Sequence, residues 1–213
     1  MGVRIDKFKL FYAPIPKVAC TSLKRMFFRI ENGFAFQRFT ANGQDWNIQR
    51  VYNSGLRETF NEARIKDYRR ITMVRDPVRR FLSGYTNRVV FHYYADDLAI
   101  KAVVYLRKPT PNPELDEFID LFEQYRKISD IDWHFRPMSD FIGSDPSYFH
   151  AIYDIRQMDD FVADVAQVVG QELEVERTQT GGPKIDPGDL SPKQLEKIQS
   201  LYASDYKAYS QFF

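Results

Sequence analysis

The short apolar run Arg70–Val74 ends at Arg75 and is followed at once by Asp76-Pro77. An acid placed before a proline is the signature of an N-cap residue and a first helical position, so this strand passes directly into a helix, predicted to run to about Val90. The same passage occurs earlier. Over Lys7–Tyr12, Phe8, Leu10 and Tyr12 alternate with Lys7, Lys9 and Phe11 as in a strand. Pro14 and Pro16 then turn the chain, and Ser22–Ile30 reads as a helix. Strands that alternate with helices predict an α/β layered fold with a central, mainly parallel sheet flanked by helices.

Periodicity supplies the remaining elements. Phe34–Thr40 reads as an irregular strand and Leu56–Lys66 as a helix. The proline-rich stretch from Lys108 to Pro113 cannot continue a helix and marks a linker or surface loop. An acidic helix follows (Glu114–Arg126), then a loop around His134, a strand (Phe149–Ile155), a helix (Met158–Val169) and a glycine-rich loop (Thr178–Gly188). Ser191-Pro192 opens a terminal helix with Leu195, Ile198, Leu201, Tyr202 and Tyr206 along one face. A chain of 213 residues buries roughly 70% of its unfolded surface, enough for residues 1–213 to form one domain without metal or disulfide.

The formal net charge is +1, which excludes a uniformly basic nucleic-acid coat, and no nucleic-acid partner is expected. Its distribution is uneven. Residues 1–110 carry 21 basic against 9 acidic side chains, and residues 111–176 carry 4 against 16. Such polarity suits an anion-handling first half as well as it suits acids and bases that pair across the fold. The single cysteine, Cys20, excludes an internal disulfide, and no Cys/His cluster points to zinc. No apolar stretch reaches the ~18 residues of a membrane span. These features predict a cytoplasmic, bacterial protein with no stable membrane anchor.

Two segments carry the chemistry. Pro16-Lys17-Val18-Ala19-Cys20-Thr21-Ser22 lies between the carboxyl end of a strand and the start of a helix, where backbone N–H groups and the helix dipole favour an anion. Thr21 and Ser22 add hydroxyls and Lys17 a mobile charge. The loop is not a Walker A sequence, because its lysine comes four residues before Thr21 and it has no glycine. Taken alone it is either a phosphate site or an ordinary capped turn. The second segment runs from Val74 to Tyr85 and sets Arg75 at a strand end and Ser83 inside the next helix. Arg79, Arg80 and Ser83 are spaced to share one helical face, and arginine's planar fork suits a phosphate. For Arg79 a solvated or salt-bridged position is the simpler reading.

Together these segments resemble the two signatures of sulfotransferases that use 3′-phosphoadenosine 5′-phosphosulfate (PAPS), in particular the carbohydrate-type sulfotransferase family 2. Pro16–Ser22 is similar to the 5′-phosphosulfate loop and Val74–Tyr85 to the 3′-phosphate motif. His134-Phe135-Arg136-Pro137, Tyr153-Asp154, and Leu190-Ser191-Pro192 with Tyr202, Asp205 and Tyr206 are similar to later family elements in the same order. The resemblance implies a P-loop-like fold and transfer of a sulfuryl group to a hydroxyl of a saccharide or similar acceptor, with 3′,5′-ADP released and no metal required. It implies that Lys17 contacts the bridging oxygen, and that the backbone of Val18, Ala19, Cys20, Thr21 and Ser22, with the Thr21 and Ser22 hydroxyls, holds the 5′-phosphate. Arg75 and Ser83 would bind the 3′-phosphate.

The general base is less defined, because residues 23–74 hold no histidine. His134, on a family element and with an ordinary pKa near 6.5, and Glu58 are the candidates, and Glu62 lies one helical turn from Glu58. His134 and His92, beside Phe91, Tyr93 and Tyr94, are candidates for the acceptor site. Phe135 stands where the family has tryptophan, so acceptor identity does not transfer from the eukaryotic glycan enzymes. Thr180-Gly181-Gly182-Pro183-Lys184 resembles the loop that closes over the cofactor in other sulfotransferases and reads equally as a flexible connection. A P-loop nucleotide kinase and a catalytically silent nucleotide-binding protein are the alternatives. The first lacks the Walker A glycines, and the second leaves Lys17 without a purpose.

Overall fold

The computed structural model describes residues 2–92, 110, 112–176 and 182–213. In chain order the elements are β1 (Val3–Ile5), β2 (Leu10–Ala13), α1 (Cys20–Asn32), β3 (Phe39–Ala41), β4 (Gln44–Trp46), α2 (Ile48–Val51), α3 (Glu62–Ile65), β5 (Arg69–Val74) and α4 (Pro77–Gly84). They continue with α5 (Leu115–Asp120), α6 (Phe122–Tyr125), α7 (Ser129–Phe135), α8 (Met138–Ile142), β6 (Ala151–Asp154), α9 (Met158–Val169), α10 (Pro192–Leu201) and α11 (Ala203–Tyr209). The chain divides into two compact units. The first comprises Met1–Arg75, Met138–Gln179 and Lys207–Phe213, the second Asp76–Pro137 and Thr180–Tyr206.

The first unit is a mixed α/β layer built on a four-stranded sheet of order β1-β2-β5-β6. β1 runs antiparallel to β2, while β2 and β5, and β5 and β6, are parallel. β2 and the Ile71–Val74 stretch of β5 are wholly buried, as central parallel strands covered on both faces are. On one face Tyr12 stacks on Phe27 of α1 at 5.1 Å and meets Phe161 of α9 edge-on at 5.7 Å. All three rings are fully buried, and the two phenylalanines each contribute about 1.5–3 kcal/mol by leaving water. On the other face Phe11 packs edge-on against Phe60. α1 and α9 both end at a left-handed glycine, Gly33 and Gly170, the usual C-terminal stop.

Several expectations change in detail. The alternation over Lys7–Tyr12 covers a hairpin corner as well as a strand. Asp6–Phe8 forms a tight turn and Lys9 is left-handed at φ 46°, so β2 starts only at Leu10. The helix expected over Leu56–Lys66 is broken. Arg57–Thr59 is a single turn, Phe60 is extended, and Asn61 starts α3 anew by accepting from the Arg64 N–H. The irregular strand expected at Phe34–Thr40 contributes only its end, as β3 paired with β4.

The second unit is helical. Phe81 of α4 is the hub, with ring contacts to Phe118, Phe122, Phe135 and Tyr202 at centroid distances of 5.2–6.4 Å. The acidic segment therefore has an apolar inner face, with Phe118, Ile119, Phe122 and Tyr125 all buried. It forms two short helices, α5 and α6, where one was expected, and the region around His134 is the helix α7 where a loop was expected. α4 keeps its α form to Gly84 and continues as a π-helix over Tyr85–Phe91, a form that recurs at functional sites. The Lys108–Pro113 linker, Tyr93, Tyr94 and the first half of the glycine-rich loop lie wholly or partly outside the described residues.

Gly84 fixes the seat of α4. A Cβ there would come within 2.7 Å of the Phe135 ring, so the helix reaches the aromatic hub only because this residue has no side chain. Gly84→Ala is expected to destabilise the protein by about 1–3 kcal/mol through overpacking, read as a lowered urea midpoint. Equal stability of the two proteins would show that α4 is not held this way.

Candidate functional site

The first unit brings one motif loop and Arg75 to the same edge of the sheet. β2 and β5 are adjacent and parallel with Ala13 opposite Thr72, so the segments that follow them, Pro14–Ala19 and Arg75, leave at their common carboxyl end. Open α/β sheets bind ligands at that edge. The loop is anchored by the fully buried Ile15 and Val18. Lys17 and Ala19 are both left-handed, with φ 66° and 48°, a conformation that costs a residue with a side chain about 1–2 kcal/mol. Alternation of left-handed residues along a turn makes a concavity of N–H groups suited to an anion. α1 then starts at Cys20 with Ala19 as its N-cap, no capping side chain and no acid in its first turn. Arg75 Nη1 donates to the Lys17 carbonyl at 3.3 Å. Ser22 is buried, and Lys17, Cys20, Thr21 and Arg75 are partly so.

The remaining candidates separate by role. Glu58 is exposed on the Arg57–Thr59 turn, and Glu62 is engaged by Arg57 at 2.5 Å and by the Tyr148 hydroxyl at 3.0 Å. With the helix broken at Phe60, the two acids no longer share a helical face. In the second unit Asp76 caps α4 by accepting from the Arg79 N–H at 2.8 Å and also accepts from the Tyr206 hydroxyl at 3.2 Å. Ser83 is partly buried on α4. Arg79 is a surface residue paired with Asp186 at 3.1 Å. Arg80, 1% exposed, has a structural task, donating from Nη1 to the Arg136 carbonyl at 2.7 Å at the end of α7. His134 Nδ1 lies 2.6 Å from the Asp130 carbonyl. That bond places the hydrogen on Nδ1, so the basic nitrogen of the neutral ring is Nε2. His92 is exposed at the end of the π-helix, edge-on to Phe91. Gly182, left-handed at φ 98°, lies so close to Thr86 that a Cβ would meet its carbonyl oxygen at 2.5 Å.

A profile of the sulfotransferase family matches residues 3–211. The chain belongs to the sulfotransferase family. It is also 30% identical to mouse carbohydrate sulfotransferase 14 over 83 residues, which is 39% of this chain and 22% of that protein. It thus spans about a fifth of that relative's length. No solved structure matches it. Among the described residues of this sulfotransferase no helix is long and apolar enough to cross a membrane.

One cluster beside the Pro14–Ala19 loop was not singled out in the sequence. Lys24 of α1 is 0% exposed and donates to Gln49 Oε1 at 2.5 Å and to Ser54 Oγ at 2.8 Å. Gln49 Nε2 in turn donates to Thr21 Oγ1 at 2.8 Å. α2 holds Gln49 rigidly, because Asn47 accepts from the Gln49 and Arg50 N–H groups. The available signal was the position of Lys24 among the apolar positions Leu23, Met26 and Phe27, where a charge is unusual. Burial pushes the Lys24 ammonium down to about 8, with the Cys20 thiol opposing that shift.

This shift makes stability depend on pH in a defined direction. Between about 8 and the ordinary lysine value near 10.4, the unfolded chain holds a proton that the folded chain lacks, so folding becomes more favourable as pH rises through that window. Below it both states are protonated and the full burial cost applies. Urea unfolding of the parent and of Lys24→Met at pH 7 and pH 9.5 is expected to show the parent gaining on the variant by about 2 kcal/mol. A difference that stays flat would place the Lys24 pKa elsewhere. In the loop itself, Ala19→Gly removes a left-handed penalty, and a gain of up to about 1 kcal/mol in urea unfolding is expected. A loss of similar size would mean that the turn stores no strain.

Proposed function

We propose that this sulfotransferase moves the sulfuryl group of PAPS to a hydroxyl of a carbohydrate-like acceptor and releases 3′,5′-ADP. The acceptor oxygen forms its bond to sulfur as the sulfur–oxygen bond to the 5′-phosphate breaks, and the acceptor proton passes to a base. The observation that carries the reading is the hydrogen bond from Arg75 to the Lys17 carbonyl, which joins one residue from each motif at one strand edge. Lys17 neutralises the bridging oxygen as it becomes a leaving group, and a cation at that point meets that need. The backbone from Val18 to Ser22, with the Thr21 and Ser22 hydroxyls, holds the 5′-phosphate at the uncapped start of α1. Arg75 takes a 3′-phosphate through its guanidinium fork.

Ser83 and His92 keep the roles that the family resemblance gives them, in 3′-phosphate and acceptor binding. For the acceptor proton we favour His134 over Glu58, because its Nδ1 contact with a backbone carbonyl orients the ring. The carbohydrate class follows the mouse relative. The lone cysteine suits a reducing compartment, and we assign the enzyme to the cytoplasm.

Calorimetric titration with 3′,5′-ADP, 5′-AMP and ATP, each with and without Mg²⁺, tests the nucleotide. Metal-independent preference for 3′,5′-ADP is expected, falling by about tenfold or more in Arg75→Ala because a hydrogen-bonded charge is lost. Preference for ATP with Mg²⁺ would replace this reading with a kinase. Lys17→Ala is expected to keep most of the 3′,5′-ADP affinity and lose turnover of ³⁵S-PAPS by about a hundredfold or more, since its charge acts mainly in the transition state. Unchanged turnover removes Lys17 from the mechanism.

A further inference from the structure

We infer that Lys24 and Gln49 are positioning residues that turn the Thr21 hydroxyl hydrogen toward the anion at the start of α1. The inference rests on the phosphosulfate reading of that loop and extends it to two residues outside both motifs. An ammonium group can only donate. Lys24 therefore commits the carbonyl end of Gln49, and the amide nitrogen has to face the other way, where it donates to Thr21 Oγ1. A hydroxyl that accepts from one neighbour keeps its own hydrogen for another.

No described residue takes that hydrogen. The usual helical acceptor for a threonine is the carbonyl four residues back, here that of Lys17, and Thr21 makes no hydrogen bond to it. The chain Ser54–Lys24–Gln49–Thr21 thus runs from a buried cation to a single outward donor. No carboxylate among the described residues pairs with Lys24. Its hydrogen bonds go to neutral oxygens, and a bound 5′-phosphate adds a negative group at the far end of the relay. A side chain that merely filled space would need neither the fixed amide direction nor the charge.

Gln49→Glu separates the two roles. A carboxylate accepts from Lys24 as well as the amide does, but at Thr21 it can only accept, so it draws the hydroxyl hydrogen away from the anion. The affinity for 3′,5′-ADP is measured by calorimetry for the parent, Gln49→Glu, Thr21→Val and the double variant, with urea midpoints for all four. Gln49→Glu is expected to keep or raise the urea midpoint and to weaken 3′,5′-ADP by about tenfold. In the Thr21→Val background the same change is expected to cost less than about threefold, because the hydroxyl it redirects is gone.

Equal weakening in both backgrounds would assign the effect to added charge alone and overturn the relay, as would unaltered affinity in Gln49→Glu. If that variant does not fold, Lys24→Met enters the same cycle with the same expectation and the same overturning result. Failure of the parent to bind 3′,5′-ADP is the distinct outcome that overturns the phosphosulfate reading and the relay with it.

Discussion

The parallel pairing of β2 with β5 is the constraint on which the candidate site depends. Parallel strands send their carboxyl ends the same way, so whatever follows each strand emerges at one edge. Here the register sets Ala13 against Thr72, and the buried Thr72 hydroxyl closes the pair by donating to the Ala13 carbonyl at 2.8 Å. Residues far apart in sequence, Lys17 and Arg75, then come within a hydrogen bond of each other. A shift of one residue would turn Tyr12 away from Phe27 and Phe161 and remove that bond together. The same register serves the apolar core and the site.

Electrostatics within the first unit favour an anion at this edge. α1 presents its positive end without an acid to offset it, Arg75 lies beside the loop, and Lys24 is buried behind it with only neutral partners. Many other charges are already matched at the surface, as in the pairs Arg38–Asp45, Arg79–Asp186 and Lys197–Asp120, each worth little in solvent. The basic excess of the first half is thus not one feature. Part of it is surface pairing, and part is the buried Lys24, which is held by the neutral oxygens of Gln49 and Ser54.

The sequence made the central strands and the helix starts legible because their signals are local. The apolar run before Arg75, the Asp76-Pro77 cap and the Ser191-Pro192 cap depend only on neighbours within a turn, and all three appear where expected. What was not legible depends on partners far along the chain. Lys7–Tyr12 looks like one strand until β1 pairs back onto it. Leu56–Lys66 keeps a helical pattern, yet Phe60 leaves it to reach Phe11 in the sheet. The segment around His134 reads as a loop in the sequence, whereas burial of Ile131 and Phe135 beside Phe81 winds it into α7. Lys24 and Gln49 lie 25 residues apart, and no spacing rule joins them.

The absence of glycine from the loop between β2 and α1 has a kinetic side. A glycine-built loop samples many shapes, and a ligand must select one at a cost of about 1–2 kcal/mol for each residue it orders. Here residues with side chains hold the left-handed turn, with Ile15 and Val18 locked in the core, so that ordering is completed when the chain folds. On the proposed reading of the loop as a phosphosulfate site, a loop shaped in advance leaves arrival of the ligand as the slow event, and association is then governed by diffusion and the local field rather than by rearrangement.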